Sequence, residues 1–303
     1  MKNRYSAHVR QTLRHLYINP LEACNLHCAM CYTRKTPLVL SEDTILQFIK
    51  KYKKSTPLET VTFCGGEVFS LPWFPRLVNT LTKRDVFVQI ITNGTIDRLG
   101  ELKSPNAINM IVSIDGLEKY HDANRGKGMF QKSVAFLKKA KSLGFHTEIF
   151  SIVTKQNYVH MTEFESFIQD KLSSQDSSFP KSKMPKFREC SITYHPRKPL
   201  AYLANHPISN IKGRTKGFDF LGKQEMKRLL ETKKTFPPKK LGCYQVSLIS
   251  SGVVYGCCEG IVPIGTIYDN PQTLIDNLKK RVAGPCLGCS EPDFLCGMKE
   301  YVS

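Results

Sequence analysis

Thr60-Val-Thr-Phe-Cys-Gly-Gly-Glu67 and Val86-Phe-Val-Gln-Ile-Ile-Thr-Asn-Gly94 read as two short β-rich runs, each closing on glycine. Between them, residues 72–83 place apolar side chains three and four apart, the period of a helix that covers a sheet. Strand, turn, helix, strand is the repeating unit of a parallel sheet, because a parallel neighbour is reached only through a crossover. The alternation continues outward in both directions. Further strand candidates lie at 16–19, 108–114, 146–153 and 190–194, and further helices at 42–53, 130–143 and 158–171, with Gly144 ending the second of these. Five or six such units fall short of the eight in a closed barrel. The spacing therefore predicts an α/β chain with a partial (β/α)6 TIM-like barrel over residues 15–195 and its chemistry at the C-terminal strand ends.

The flanks read differently. Residues 1–14 form an N-terminal extension, 173–186 a surface loop or lid, and 196–240 a weakly periodic linker with one helix near 223–233. Residues 241–303 hold six of the eleven cysteines and mark a small C-terminal subdomain, which opens with a hairpin of 245–249 and 253–255 turning at Ser251 and Gly252. Apolar residues at 41% and charged residues at 23% are the balance of a folded globular body and exclude wholesale disorder. The longest apolar runs, 86–91 and 108–114, are far below the roughly 18 residues that span a bilayer. With no secretory apolar stretch near the N-terminus, the expectation is a cytoplasmic chain without membrane association. Eleven cysteines in such a chain point to metal or thiol chemistry.

Glu22-Ala-Cys-Asn-Leu-His-Cys-Ala-Met-Cys-Tyr32 follows the first strand candidate and sets thiols at Cys24, Cys28 and Cys31. Three thiolates suit an iron–sulfur cluster that keeps one iron open for the amine and carboxylate of a small molecule. A closed zinc site would require a fourth ligand, and His27 stands at an awkward spacing for it.

This C-x-x-x-C-x-x-C motif with a following aromatic resembles the signature of the radical S-adenosylmethionine (SAM) superfamily, and motifs like those of the family recur in order over residues 15–195. The resemblance implies a partial barrel, a SAM-binding 4Fe-4S cluster on the three cysteines, and SAM as cofactor. It implies that Gly65 and Gly66 allow close backbone approach while Glu67 accepts from the methionyl ammonium. Asn93, in Thr92-Asn-Gly94, belongs to the same SAM-binding set. Ser113, in Ser113-Ile-Asp-Gly116, and Arg125 would hold the methionyl carboxylate, and Tyr32 would pack near the adenine.

Cys243, Cys257, Cys286 and Cys289, with Cys296 able to replace one of them, look like the auxiliary-cluster extension called SPASM, or its shorter relative, twitch. A four-thiolate set serves an auxiliary 4Fe-4S cluster or zinc. Cys258 directly follows a proposed ligand and reads either as a hydrogen-atom donor to a substrate radical or as an inert thiol. Cys64 and Cys190 read as core residues. The resemblance implies radical hydrogen abstraction, with peptide or protein modification, epimerisation included, as the leading reading and a flavodoxin- or ferredoxin-like protein as electron donor. Modification of RNA or a nucleotide fits the formal charge of +18, although no aromatic-basic cluster of a known RNA module accompanies it. Small-molecule oxidation and a non-enzymatic metal-binding regulator are the remaining alternatives.

Overall fold

The computed structural model describes residues 13–31, 33, 35–173, 192–197, 246–256 and 263–282. Tyr32, Cys190, Cys243, Cys257, Cys258, Cys286, Cys289 and Cys296 lie outside these residues, as do residues 1–12 of the expected N-terminal extension and the helix near 223–233. Strands β1 (His15–Asn19), β2 (Thr60–Phe63), β3 (Phe87–Thr92), β4 (Ile108–Ser113), β5 (His146–Ile152), β6 (Thr193–Arg197), β7 (Val246–Ile249), β8 (Val253–Tyr255) and β9 (Pro263–Thr266) form one sheet. Their order is β6-β5-β4-β3-β2-β1-β7-β8-β9, parallel from β6 to β7 and antiparallel beyond. The sheet does not close on itself among the described residues, which is the predicted partial barrel. The expected hairpin is present as β7 and β8. It continues the sheet, because β7 pairs in parallel with β1 from Leu16 opposite Val246 to Asn19 opposite Ile249.

Helices α1 (Glu42–Ser55), α2 (Phe74–Thr82), α3 (Glu118–Arg125), α4 (Met129–Ser142), α5 (Met161–Phe167) and α6 (Pro271–Val282) accompany the strands. α1 shows why its residues choose this form. Ser41 caps it by accepting from the Thr44 N–H at 3.1 Å, Glu42 and Asp43 meet the positive end of the dipole, and Lys53 and Lys54 meet the negative end. Ile45, Phe48, Ile49 and Tyr52 then fall on one buried stripe, each worth roughly 1.5–3 kcal/mol by area. The Tyr52 hydroxyl donates to the Leu13 carbonyl at 2.8 Å, which fastens α1 to the start of β1. The helix expected at 158–171 is split: α5 ends at Phe167 and a π-helical turn, Ile168–Ser173, follows. No helix among the described residues is long and apolar enough to cross a membrane.

Strand alternation separates two chemistries. Ile18, Val61, Phe63, Val88, Ile90, Met110 and Val112 are fully buried and form the outward, helix-covered face. The opposite face carries His15, Thr62, Gln89, Asn109 and Glu148, joined by hydrogen bonds. Thr62 donates to Gln89 Oε1 at 2.6 Å and so accepts from His15 Nε2–H at 2.7 Å, while Asn109 Nδ2 donates to Glu148 Oε1 at 2.8 Å. A barrel core of this size is ordinarily apolar, so polar side chains here mark a lumen built to meet something polar.

Burial of the His15 ring pulls its pKa from 6.5 to about 4. The unfolded chain therefore takes up this proton first as pH falls. The stabilisation is complete above about pH 6.5 and is lost as pH falls to about 4, a difference of roughly 3 kcal/mol. Urea unfolding at about pH 7 and about pH 4 should show this acid loss in the wild type and a loss smaller by that amount in His15→Gln.

Candidate functional site

Parallel strands bring the C-terminal ends of β1 to β5 to one edge, and the ends of β1 to β4 each carry a segment singled out in the sequence. After β1 the chain turns out as a loop closed at its base by the bridge from Leu21 to Val39 and by the Leu40 N–H on the Pro20 carbonyl at 2.9 Å. Cys24, Cys28 and Cys31 stand on this loop as free thiols. The Cys31 N–H returns to the Cys28 carbonyl at 3.0 Å, which makes the second half of the motif a tight turn. The Thr36 N–H donates to Glu22 Oε2 at 3.2 Å, and the Lys35 ammonium sits on the Leu26 carbonyl.

The end of β2 lies directly against the loop. The N–H groups of Cys64, Gly66 and Glu67 donate to the carbonyls of Ile18, Leu21 and Ala23 at 3.0, 2.9 and 3.0 Å, a ladder that continues the β1–β2 pairing past the strands. Only glycine fits here. A Cβ on Gly66 would lie 1.8 Å from the Ala23 carbonyl oxygen, and one on Gly65, whose φ is +136°, would lie 2.3 Å from the Leu21 carbonyl oxygen.

Glu67 was expected to meet a ligand's ammonium, yet its residue surface is wholly buried. Oε1 accepts from the Phe69 N–H at 3.1 Å and from the Thr92 hydroxyl at 2.9 Å, and Oε2 accepts from the Asn93 N–H at 2.8 Å. Burial pushes this carboxyl upward, against the lowering effect of those donors. Asn93 is also enclosed. Its Nδ2 donates to Asn25 Oδ1 at 2.9 Å and approaches the Cys24 sulfur at 3.7 Å, and its Oδ1 accepts from Thr95 N and Oγ1 at 2.9 and 2.6 Å.

At the end of β4, Ser113 is half-buried, and Asp115 is deeply buried beneath it in the chain order. Arg125, at the C-terminus of α3, gives Nε and Nη2 to the two oxygens of Asp115 at 2.6 and 3.0 Å, and the Ile152 N–H adds a third donor at 3.0 Å. Burial alone would raise the Asp115 carboxyl, but the Arg125 guanidinium holds it below the usual carboxylate range. One edge of the guanidinium fork is thereby spent, and the Nη1 edge is what Arg125 has left to offer a ligand. Burial raises the Cys28 thiol, and the same Arg125 charge works against that rise. Asn124 donates to Asp115 and accepts the Met30 N–H at 3.3 Å on its side chain and the Ala29 N–H at 2.9 Å on its carbonyl.

The sequence reading assigned no role to Asp115, Asn124 or Asn25. The Ser113-Ile-Asp-Gly116 segment did offer one signal, a lone carboxylate at a strand end followed by an arginine one helix later. The chemistry of this edge fits an iron–sulfur cluster and its SAM. Three separate thiols share one loop, the Leu26 N–H points at the Cys24 sulfur at 3.4 Å, and Arg125 brings positive charge to Cys28 and Cys31. Among the described residues no three Cys, His, Asp or Glu side chains gather around one ion-sized point. A cluster does not require that, because each thiolate takes a different iron.

Two substitutions test this architecture. Asp115→Asn should cost on the order of 3–5 kcal/mol in urea unfolding, because it leaves Arg125 buried without its counter-charge. Gly66→Ala should cost about 1–3 kcal/mol by overpacking against Ala23 and should lower the iron retained after reconstitution.

Residues 18–168 match the profile of the Radical SAM superfamily. Over 154 residues the chain is 29% identical to the S-adenosylmethionine-dependent nucleotide dehydratase of Lacinutrix mariniflava, an alignment covering 45% of this chain and 32% of that protein. Over 155 residues it is 27% identical to the antilisterial bacteriocin subtilosin biosynthesis protein AlbA of Bacillus subtilis, covering 48% and 35%. The chain thus spans about a third of the length of these curated relatives. Native anSMEcpe with bound AdoMet and Cp18Cys peptide superposes with a TM-score of 0.64 over 95% of this chain and 94% of that one, and at 17% identity this is a likeness of fold. The matched segment runs from the end of β1 through α5 and holds the three-cysteine loop, Gly65-Gly66-Glu67, Ser113 and Arg125: the chain belongs to the radical SAM superfamily.

Proposed function

We propose that this protein is a radical SAM enzyme whose Cys24, Cys28 and Cys31 hold a 4Fe-4S cluster and whose substrate is a peptide or protein. The observation that carries the reading is the cysteine loop itself, set at the C-terminal edge of a parallel sheet with amide donors on one sulfur and a buried arginine beside the other two. When bound, the cluster supplies the electron that splits SAM into methionine and a 5′-deoxyadenosyl radical able to take a hydrogen atom from an unactivated carbon.

The chain's own residues bind and orient. The backbone at Gly65 and Gly66 and the Ser113 hydroxyl border the place for the methionyl group, with the Nη1 edge of Arg125 for its carboxylate. Tyr32 serves the adenine. The polar face bearing Thr62, Gln89, Asn109 and Glu148 gives a substrate hydrogen-bonding partners below the strand ends, as a chain rich in amides requires. Cys243, Cys257, Cys286 and Cys289, with Cys296 as a substitute, are the proposed ligands of an auxiliary cluster in residues 241–303, and Cys258 is the proposed hydrogen-atom donor. A flavodoxin- or ferredoxin-like protein supplies electrons, and the chain works in the cytoplasm. The likeness to anSMEcpe, which holds a peptide beside AdoMet, and to AlbA, a bacteriocin biosynthesis protein, supports the peptide reading. A nucleotide substrate is the second reading, favoured by the likeness to a nucleotide dehydratase and by the charge of +18.

Anaerobic reconstitution tests both. The wild type should take up about four irons on the loop, or about eight if the auxiliary cluster forms. It should release 5′-deoxyadenosine with reductant and SAM, and the Cys24→Ala/Cys28→Ala/Cys31→Ala variant should release none above background. Adding precursor-type peptides should raise that release. A rise with nucleoside triphosphates in their place would transfer the assignment to the second reading.

A further inference from the structure

Two carboxylates with almost no exposed surface stand at opposite sides of the cysteine loop, and each is linked to the loop through asparagines. On one side, Glu67 fixes the Asn93 backbone, and Asn93 passes the connection to Asn25, the residue next to Cys24, at 2.9 Å. Thr95 closes this into a ring, because its hydroxyl donates to Asn93 Oδ1 at 2.6 Å and accepts from Asn25 Nδ2 at 2.8 Å. On the other side, Asp115 receives the Asn124 amide. Asn124 is 5% exposed and holds the Ala29 and Met30 N–H groups, the two residues between Cys28 and Cys31. The loop residues Asn25 to Ala29 belong to no helix or strand, so these contacts take the place of the regular hydrogen bonds the backbone lacks.

The two sides differ in what they secure. The Glu67 side acts on a side chain and on the Cys24 sulfur, and the Asp115 side acts on backbone amides. A loop carrying three ligands needs both ends fixed, since otherwise the spacing of the sulfurs follows the loop's own fluctuations.

We propose that Asn25, Asn93 and Asn124 are positioning residues that clamp the cysteine loop at both ends, with Glu67 and Asp115 as the anchors of the clamp. Glu67 then acts through Asn93 and Asn25, not by touching the aminoacyl part of the cofactor. The assignment rests on the reading that the loop carries the cluster, and measurements on the metal-free protein test the clamp separately from that reading.

The experiment compares wild type with Asn25→Ala, Asn124→Ala, Glu67→Gln and Glu67→Gln/Asn25→Ala. Hydrogen exchange is followed in the metal-free, reduced protein, and iron loss to a chelator in the reconstituted one. In Asn124→Ala the Ala29 and Met30 amides should exchange at least about tenfold faster, with protection in β4 and β5 unchanged. Asn25→Ala and Glu67→Gln should each speed iron loss about threefold or more, and the double variant should lose iron no faster than the faster single one, the non-additivity expected of residues on one path. Exchange and iron loss within about twofold of wild type in folded Asn25→Ala and Asn124→Ala would overturn the clamp. So would a Glu67→Gln protein that keeps its iron as wild type does and loses only SAM affinity. Should Asn124→Ala fail to fold, Asn25→Ala decides alone, since Asn25 lies at the surface. A wild type that takes up no iron would defeat the proposed function, whereas the exchange data would still decide the clamp.

Discussion

A buried carboxylate must have its charge answered on every side, and Asp115 is answered by the Arg125 guanidinium, the Asn124 amide and the Ile152 N–H. These three donors come from two elements besides its own, so the carboxylate fixes how α3 and β5 meet the end of β4. Arg125 is in turn held where its charge faces Cys28 and Cys31, and Asn124 where it reaches the loop backbone. The Asp115 N–H is spoken for as well, by His121 Nδ1 at 3.2 Å, and its carbonyl by Asn157 Nδ2 at 2.7 Å. A residue so fully engaged has little freedom to answer a ligand. Its work is to make Arg125 rigid.

Glu67 shows the same burial with the opposite electrostatic outcome. Its partners are two amides and a hydroxyl, and they do not overcome desolvation, so its carboxyl is pushed upward while that of Asp115 is held down. The difference is a full counter-charge in contact. One anchor of the loop is therefore stabilised by neutral donors and the other by an ion pair, and the cationic member of that pair brings its charge to Cys28 and Cys31.

The barrel strands were legible in the sequence because they are short runs rich in β-branched residues bounded by glycines and turns, with Val88, Ile90, Met110 and Val112 on the buried outward face, although Ile91 and Ile111 interrupt the polar inward one. α1 and α4 were legible for the same reason, through stripes at helical spacing and, for α4, a glycine stop. α3 was not: in Glu118–Arg125 only His121 and Asn124 are buried, so no apolar stripe advertises it. The three cysteines and the two glycines announced themselves by local spacing. The connection of Asn93 to Asn25 spans 68 residues and that of Asn124 to Met30 spans 94, and no local pattern encodes either. Glu67 was assigned to a ligand's ammonium through the resemblance of Gly65-Gly66-Glu67 to a family motif, and only the fold shows Phe69, Thr92 and Asn93 around its carboxylate.

The parallel pairing of β7 with β1 has a consequence for biosynthesis. Leu16 finds Val246 as its neighbour, so the pair bridges about three-quarters of the 303-residue chain, and such contacts are slow to form. Until residue 246 has left the ribosome, β1 has β2 on one side and a bare strand edge on the other, the kind of edge that recruits foreign strands. β1 also leads directly into the cysteine loop. Completion of the sheet around the strand that carries the loop is thus tied to translation of the distant segment that holds β7.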